Sequence, residues 1–221
     1  PIREIGRIAR EHGILFHTDA VQAVGLFDVN VDELEVDLLS LSAHKIYGPK
    51  GIGALYIRRG VNVSPILYGG PQEATRRPGT ENVPGIAGLG AAVQLTLEHK
   101  AEEYPRLQAL RARLIEGLRE AVPGTTVNGP LDVVAPHVAS LSLPGVDGEM
   151  LLFRLNAEGI AASMGSACTA KDIQPSHVLV AMGLPREQIE GTLRLSLGFP
   201  TTVDDIDYVC EVLPVVAARC R

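Results

Sequence analysis

The residues that could do chemistry fall in four separate stretches. In Val36–Gly53 (VDLLSLSAHKIYGPKGIG) an apolar run turns polar at Ser42-Ala43-His44-Lys45, then loosens into Gly48-Pro49-Lys50-Gly51-Ile52-Gly53. A lysine beside a hydroxyl and an imidazole suits imine formation with an aldehyde next to a phosphate site. The bland alternative is a surface lysine after a strand. Gly48-Pro49-Lys50-Gly51 lacks the G-x-x-x-x-G-K-[ST] spacing, which excludes a nucleotide P-loop there. Upstream, Asp19 is followed by Gln22; a carboxylate there could keep a pyridine nitrogen protonated, or simply cap a helix. Cys168 sits among small and polar residues, Ser163-Met164-Gly165-Ser166-Ala167-Cys168-Thr169, where an accessible thiol could be a nucleophile or could be idle. No second Cys or His lies at metal-ligand spacing. Arg194, on a run of leucines, needs an anion if it is buried: a substrate carboxylate or an internal salt bridge. Cys210 and Cys220 lie on the last helix and read as packing or surface residues.

The elements that must position these groups alternate as in an α/β chain. Ile2, Ile5, Ile8 and Ala9 make a helical stripe closed by Gly13, and Ile14-Leu15-Phe16 leads as a short buried strand into His17-Thr18-Asp19. The second strand ends at Ser42, which places Asp19, Ser42, His44 and Lys45 at carboxyl ends of strands, where open α/β sheets bind ligands. A third strand follows at Gly53–Ile57. Tyr68–Val83, rich in Gly, Pro and charge, is long for a plain connection. Pro84–Lys100 and Glu102–Val122 both read as helical, with Pro105 kinking the second or starting a new one. A domain boundary is expected here, giving domains 1–100 and 101–221. The second half predicts a strand at His137–Leu143, a helix at Asp147–Asn156 capped by Asp147, and a short strand at Ile160–Ser163. A helix at His177–Met182, a strand at Thr192–Leu197 and a helix at Thr202–Arg219 follow.

The totals narrow the function classes. The chain has 221 residues, 46% of them hydrophobic, and a mean hydropathy of +0.15, which describes a folded globular chain with room for one or two cores. A net charge of −6 argues against an electrostatic nucleic-acid binder. Apolar stretches such as Ile86–Val93 are too interrupted to span a bilayer. Three cysteines without repeating spacing fit a reducing compartment, hence a cytoplasmic location.

Taken together, HTDAVQAVG, LSLSAHKIYGPKGIGALY, RRPGTENV, GSACTAKDIQPSHVL and LRLSLG, in this order, strongly resemble cysteine desulfurases of the NifS/IscS type. These belong to the class-V aminotransferases among the fold-type I pyridoxal-phosphate enzymes. The stretch around Cys168 resembles the NifS/IscS group rather than the SufS group. The resemblance covers essentially the whole chain. It implies an aspartate-aminotransferase-like α/β fold, here the C-terminal part of the large domain plus a small α+β C-terminal domain.

The resemblance also implies roles. Lys45 would hold pyridoxal phosphate covalently, Asp19 would pair with its pyridine nitrogen and Gln22 with its ring hydroxyl. Ser42 and His44 would bind its phosphate, and Thr80 would reach the phosphate of a neighbouring subunit, making a homodimer. Arg194 would hold the carboxylate of L-cysteine, and Cys168 would take its sulfur as a persulfide, releasing alanine. Acceptors would be an iron–sulfur scaffold or a tRNA-thiolation protein. In the family a substantial segment precedes this region and supplies further phosphate donors, a ring-stacking His and a carboxylate-binding Asn. An isolated chain of this extent is therefore expected to expose apolar sheet surface and to turn over poorly. Rival readings are a selenocysteine lyase or other β-lyase of the same fold, and a non-catalytic homologue.

Overall fold

A computed structural model describes residues 1–132, 134–164 and 175–221. The chain divides into two compact units, Pro1–Ala101 and Glu102–Arg221.

In the first unit, helix α1 (Ile2–Glu11) ends where Gly13 turns left-handed, at φ +64°. Gly13 N–H then donates to Arg10 C=O and Ile14 N–H to Ala9 C=O, so both orphaned carbonyls are capped. The side of α1 that approaches the rest of the unit is marked by Gly6, where a Cβ would stand 2.3 Å from Leu34 O. The isoleucine stripe faces outward, with Ile2, Ile5 and Ile8 between 38% and 50% exposed. Strand β1 (His17–Asp19) runs parallel to β2 (Leu38–Ser42), and β3 (Gly53–Ile57) returns antiparallel to β2. β1 is shorter than the expected Ile14–Asp19 run: Ile14 and Leu15 are 61% and 59% exposed and form no ladder. Leu39 packs into a core with Ala20 and Val36, bordered by Phe16, Leu41 and Tyr56.

Helix α2 runs without interruption from Val83 to Ala121. The two helices expected at Pro84–Lys100 and Glu102–Val122 are thus one, with Pro105 inside it. A proline in mid-helix loses its own N–H bond, here the one to the Ala101 carbonyl, and its ring crowds that carbonyl, at a cost of about 3 kcal/mol.

The second unit holds an antiparallel sheet in the order β4 (Thr126–Val127), β5 (Val138–Ser142), β6 (Thr192–Ser196). β4 is too short to leave a sequence signal. Leu141 and Leu193 are direct cross-strand partners, and both are fully buried. Against this unit's core lie the leucine face of α2 (Leu107, Leu110, Leu114, Leu118), α3 (Gly148–Ala157) and α6 (Val203–Ala218). Asp147 caps α3 by accepting from Met150 N–H at 3.0 Å, as the sequence predicts. Thr202 and Asp205 form a reciprocal capping box at the start of α6. Two short helices, α4 (His177–Ala181) and α5 (Arg186–Glu190), complete the unit; α5 was not foreseen. Ile160–Ser163 is not a full strand, and only Ser163 bridges to Arg194. Arg106 ties the 198–201 turn to α2 by donating to the carbonyls of Gly198, Phe199 and Thr201. No described helix is long and apolar enough to cross a membrane.

Leu141→Ala is expected to cost about 2–5 kcal/mol in denaturant unfolding, whereas Ile66→Ala, at a position 92% exposed, should stay within about 0.5 kcal/mol. The Asp205 carboxyl is held below its ordinary value by the N–H and O–H of Thr202. Its contribution is therefore complete above the unfolded carboxylate value and lost as pH falls through the lowered one. Acid titration of stability should lose part of its slope in Asp205→Asn.

Candidate active site

In the first unit, parallel pairing brings the carboxyl ends of β1 and β2 together, with Asp19 opposite Ser40. Side chains alternate between faces along each strand. Thr18 and Leu39, paired in register, face the core, so His17, Asp19, Ser40 and Ser42 share the opposite, polar face. His17 Nε2 and Ser40 Oγ are 2.8 Å apart. Asp19 is exposed, and its Oδ1 accepts from Val21 N–H at 2.9 Å. No helix follows Asp19, so it caps a turn rather than a helix, and that contact uses one carboxylate oxygen.

Directly after β2 the chain makes a single 3₁₀ turn, Ala43–Ile46, which carries His44 and Lys45 outward while Ala43 and Ile46 are buried. Ser42 Oγ lies 2.7 Å from His44 Nδ1, so the hydroxyl and imidazole are held as a pair. Lys45 is exposed and has no hydrogen-bond or ion-pair partner among the described residues. The turn closes through Tyr47, left-handed at φ +63°, and through Gly48 N–H donating to Ala43 C=O at 2.9 Å.

Small residues on α2 make room for this turn. A Cβ on Gly48 would meet Ala43 Cβ and Ala92 Cβ at 3.0 Å each, and one on Gly88 would stand 2.5 Å from Pro49 Cγ. Gly88, Ala92 and Thr96 fall four residues apart on one face of α2, and Thr96 lies beside Gly25. The small-residue run in PGIAGLGAAV marks a buried or interface helix in the sequence; that the Lys45 turn is what rests on it is visible only in the structure. The left-handed Tyr47 left no trace, since nothing in its residue type requires that conformation.

Gln22 and Thr80 are both exposed; Thr80 follows Gly79, whose φ is +95° and whose N–H donates to Gln72 Oε1 at 3.1 Å. The donor set of this unit, with Ser42, His44 and an unpartnered Lys45 on one turn and Asp19 on the adjacent strand end, fits an anionic, aldehyde-bearing cofactor such as pyridoxal phosphate.

In the second unit Arg194 lies on β6 opposite Ser140 of β5 and turns away from the buried Leu193 and Leu195. Its Nε is buried without a hydrogen-bond partner, and no carboxylate pairs with its guanidinium among the described residues. The internal salt bridge considered from sequence is therefore not found among them. Cys168 lies outside the described residues. Burial pushes the Cys210 thiol up; a Cβ on Gly117 would come within 2.7 Å of its Sγ. Burial likewise raises the Cys220 thiol, which is 6% exposed, so both are packing residues held as thiols.

The family description Aminotransferase class-V matches residues 1–209. The chain is 49% identical over 223 residues to the cysteine desulfurase IscS of Clostridium botulinum, covering all of this chain and 56% of that one. It is 53% identical over 222 residues to the cysteine desulfurase IscS of Methanosarcina thermophila, covering 54% of it. Among solved structures, a NifS-like protein superposes with a TM-score of 0.90 at 35% identity, over 99% of this chain and 57% of that one. The fold is that of the fold-type I pyridoxal-phosphate transferases, and the chain spans little more than half the length of the relatives it matches.

Gly48→Val should push the Lys45 turn off α2 and cost about 1–3 kcal/mol in denaturant unfolding, because the surrounding atoms are already at contact.

Proposed function

The chain belongs to the class-V aminotransferase family, and on that premise we propose that it serves a cysteine desulfurase that uses pyridoxal 5′-phosphate to remove sulfur from L-cysteine. The observation that carries this reading is the unpartnered amine of Lys45, set on a tight turn beside the Ser42–His44 pair, one strand away from Asp19.

Pyridoxal phosphate, when bound, supplies an electron sink for negative charge developing at the substrate α-carbon. Ser42 and His44 would hold its phosphate, and Asp19 the proton on its ring nitrogen through the carboxylate oxygen that Val21 does not use. Gln22 would donate to its ring hydroxyl. Lys45 Nζ would anchor the cofactor and then carry the α-proton. Arg194, donor-only and without an internal carboxylate among the described residues, would fork onto the substrate carboxylate. Cys168 would attack as thiolate. Its new S–S bond forms as the substrate C–S bond breaks, and the electron pair left on the β-carbon takes a proton, giving alanine and a persulfide. Thr80, exposed beside Gly79, would reach a second copy in a homodimer. The persulfide would pass to an iron–sulfur scaffold or another sulfur-acceptor protein in the cytoplasm. The free thiols of Cys210 and Cys220 are in keeping with that reducing compartment.

The protein expressed from its complete gene should turn yellow with pyridoxal phosphate, and borohydride should fix the label on the peptide containing Lys45. It should form one alanine per sulfide from L-cysteine. Lys45→Ala should lose both label and turnover. Cys168→Ala should keep the label but lose sulfide release by at least about a hundredfold. Alanine formation from selenocysteine but not from cysteine would replace this reading with the lyase, and an unlabelled, colourless protein would end it.

A further inference from the structure

One side-chain pair on the first unit's polar face takes no part in holding cofactor or substrate. His17 Nε2 stands 2.8 Å from Ser40 Oγ, and this bond crosses from β1 to β2. It runs on the diagonal. His17 is in register with Leu38, whereas Ser40 is in register with Asp19. The imidazole therefore reaches forward to the level of the carboxylate two residues ahead of it. Ser40 grips the same level through its backbone, since its C=O accepts from Ala20 N–H at 2.9 Å.

β1 has few other restraints. Its ladder is three residues long, and among the described residues it lies at the edge of its sheet, paired with β2 alone. Ile14 and Leu15 before it are exposed and add nothing to the ladder. Asp19 is the last residue of β1, and the bond to its side chain comes from Val21 N–H, in the turn beyond. A hydroxyl can accept from a ring N–H or donate to a bare ring nitrogen, so the His17–Ser40 pair persists whether the imidazole is neutral or charged.

We propose that His17 is a positioning residue: through Ser40 it clamps the end of β1 to β2 and so fixes where Asp19 meets the cofactor's ring nitrogen. The proposal rests on the reading of Asp19 as the partner of that nitrogen. Its consequence is electrostatic. A proton held on the ring nitrogen disfavours a second proton on the imine that joins the ring to Lys45. A carboxylate that drifts loosens the first proton, and the imine then takes its own more readily.

The test uses the protein from its complete gene, loaded with pyridoxal phosphate and without substrate, and follows visible absorbance against pH. His17→Asn, whose amide ends where the ring Nδ1 stood and falls short of Ser40, should raise the imine's proton affinity about threefold or more. Ser40→Ala should do the same, and the double variant should add nothing further, because one shared interaction is lost in all three. His17→Gln, whose amide nitrogen takes the place of Nε2, should return the absorbance midpoint to the wild-type value. A clasp that served stability alone would lower the unfolding midpoint of His17→Asn and leave its absorbance midpoint unmoved, which would overturn the proposal. Equal shifts in the Asn and Gln variants would overturn it too. Ser40→Ala and His17→Gln decide the matter if His17→Asn does not fold. Asp19→Asn is the control: if it moves the absorbance midpoint while the His17 and Ser40 variants do not, the proposal falls and the reading of Asp19 stands. If Asp19→Asn leaves the midpoint unmoved, both fall.

Discussion

The first unit's chemistry depends on one close approach: the turn that follows β2 lies against helix α2 at Gly48, Gly88 and Ala92, where there is no space for a further carbon atom. That contact lets the chain reverse within four residues and still bury Ala43 and Ile46, so His44 and Lys45 between them are forced outward. A larger residue on either surface would lift the turn and carry the amine away from the strand end. Close packing gives this turn its support, with no polar partner for the lysine among the described residues. The Ser42–His44 pair and the left-handed Tyr47 finish what the packing begins.

The second unit solves a different problem. Arg194 is half withdrawn from water, and among the described residues no acid pairs with it. Its cross-strand neighbours are Ser140 and Ser163, both neutral. Elsewhere in the same unit arginines are handled in other ways. Arg113 is neutralised by Asp207 at the surface, and Arg111 is buried against the carbonyls of Val138 and Leu131, where burial lowers its proton affinity. The contrast between these arginines shows that the environment of Arg194 is a choice of partners rather than a consequence of its residue type.

Much of this architecture was legible in the sequence. The strand carrying Ser42, the capping of α3 by Asp147, the Gly13 terminator and the opposition of Arg194 to its leucines all follow from local pattern, because each depends on residues within a turn or two. The errors were of another kind. Pro84–Lys100 and Glu102–Val122 read as separate helices, but one helix runs through both, with Pro105 inside it. Ile14 and Leu15 read as part of a buried strand, yet both are exposed and outside β1. β4 and α5 are too short for periodicity to show.

By itself the sequence determined the alternation of elements and, through its ordered motifs, the family. Tertiary structure alone decided that Asp19 and Ser42 end adjacent parallel strands, that the lysine turn rests on the small residues of α2, and that Arg194 faces Ser140 rather than an acid. The physical reason is separation along the chain. Residue types and local spacing set backbone preference over a few residues, whereas strand register and helix packing join segments tens of residues apart, and no local pattern encodes which partner will be there.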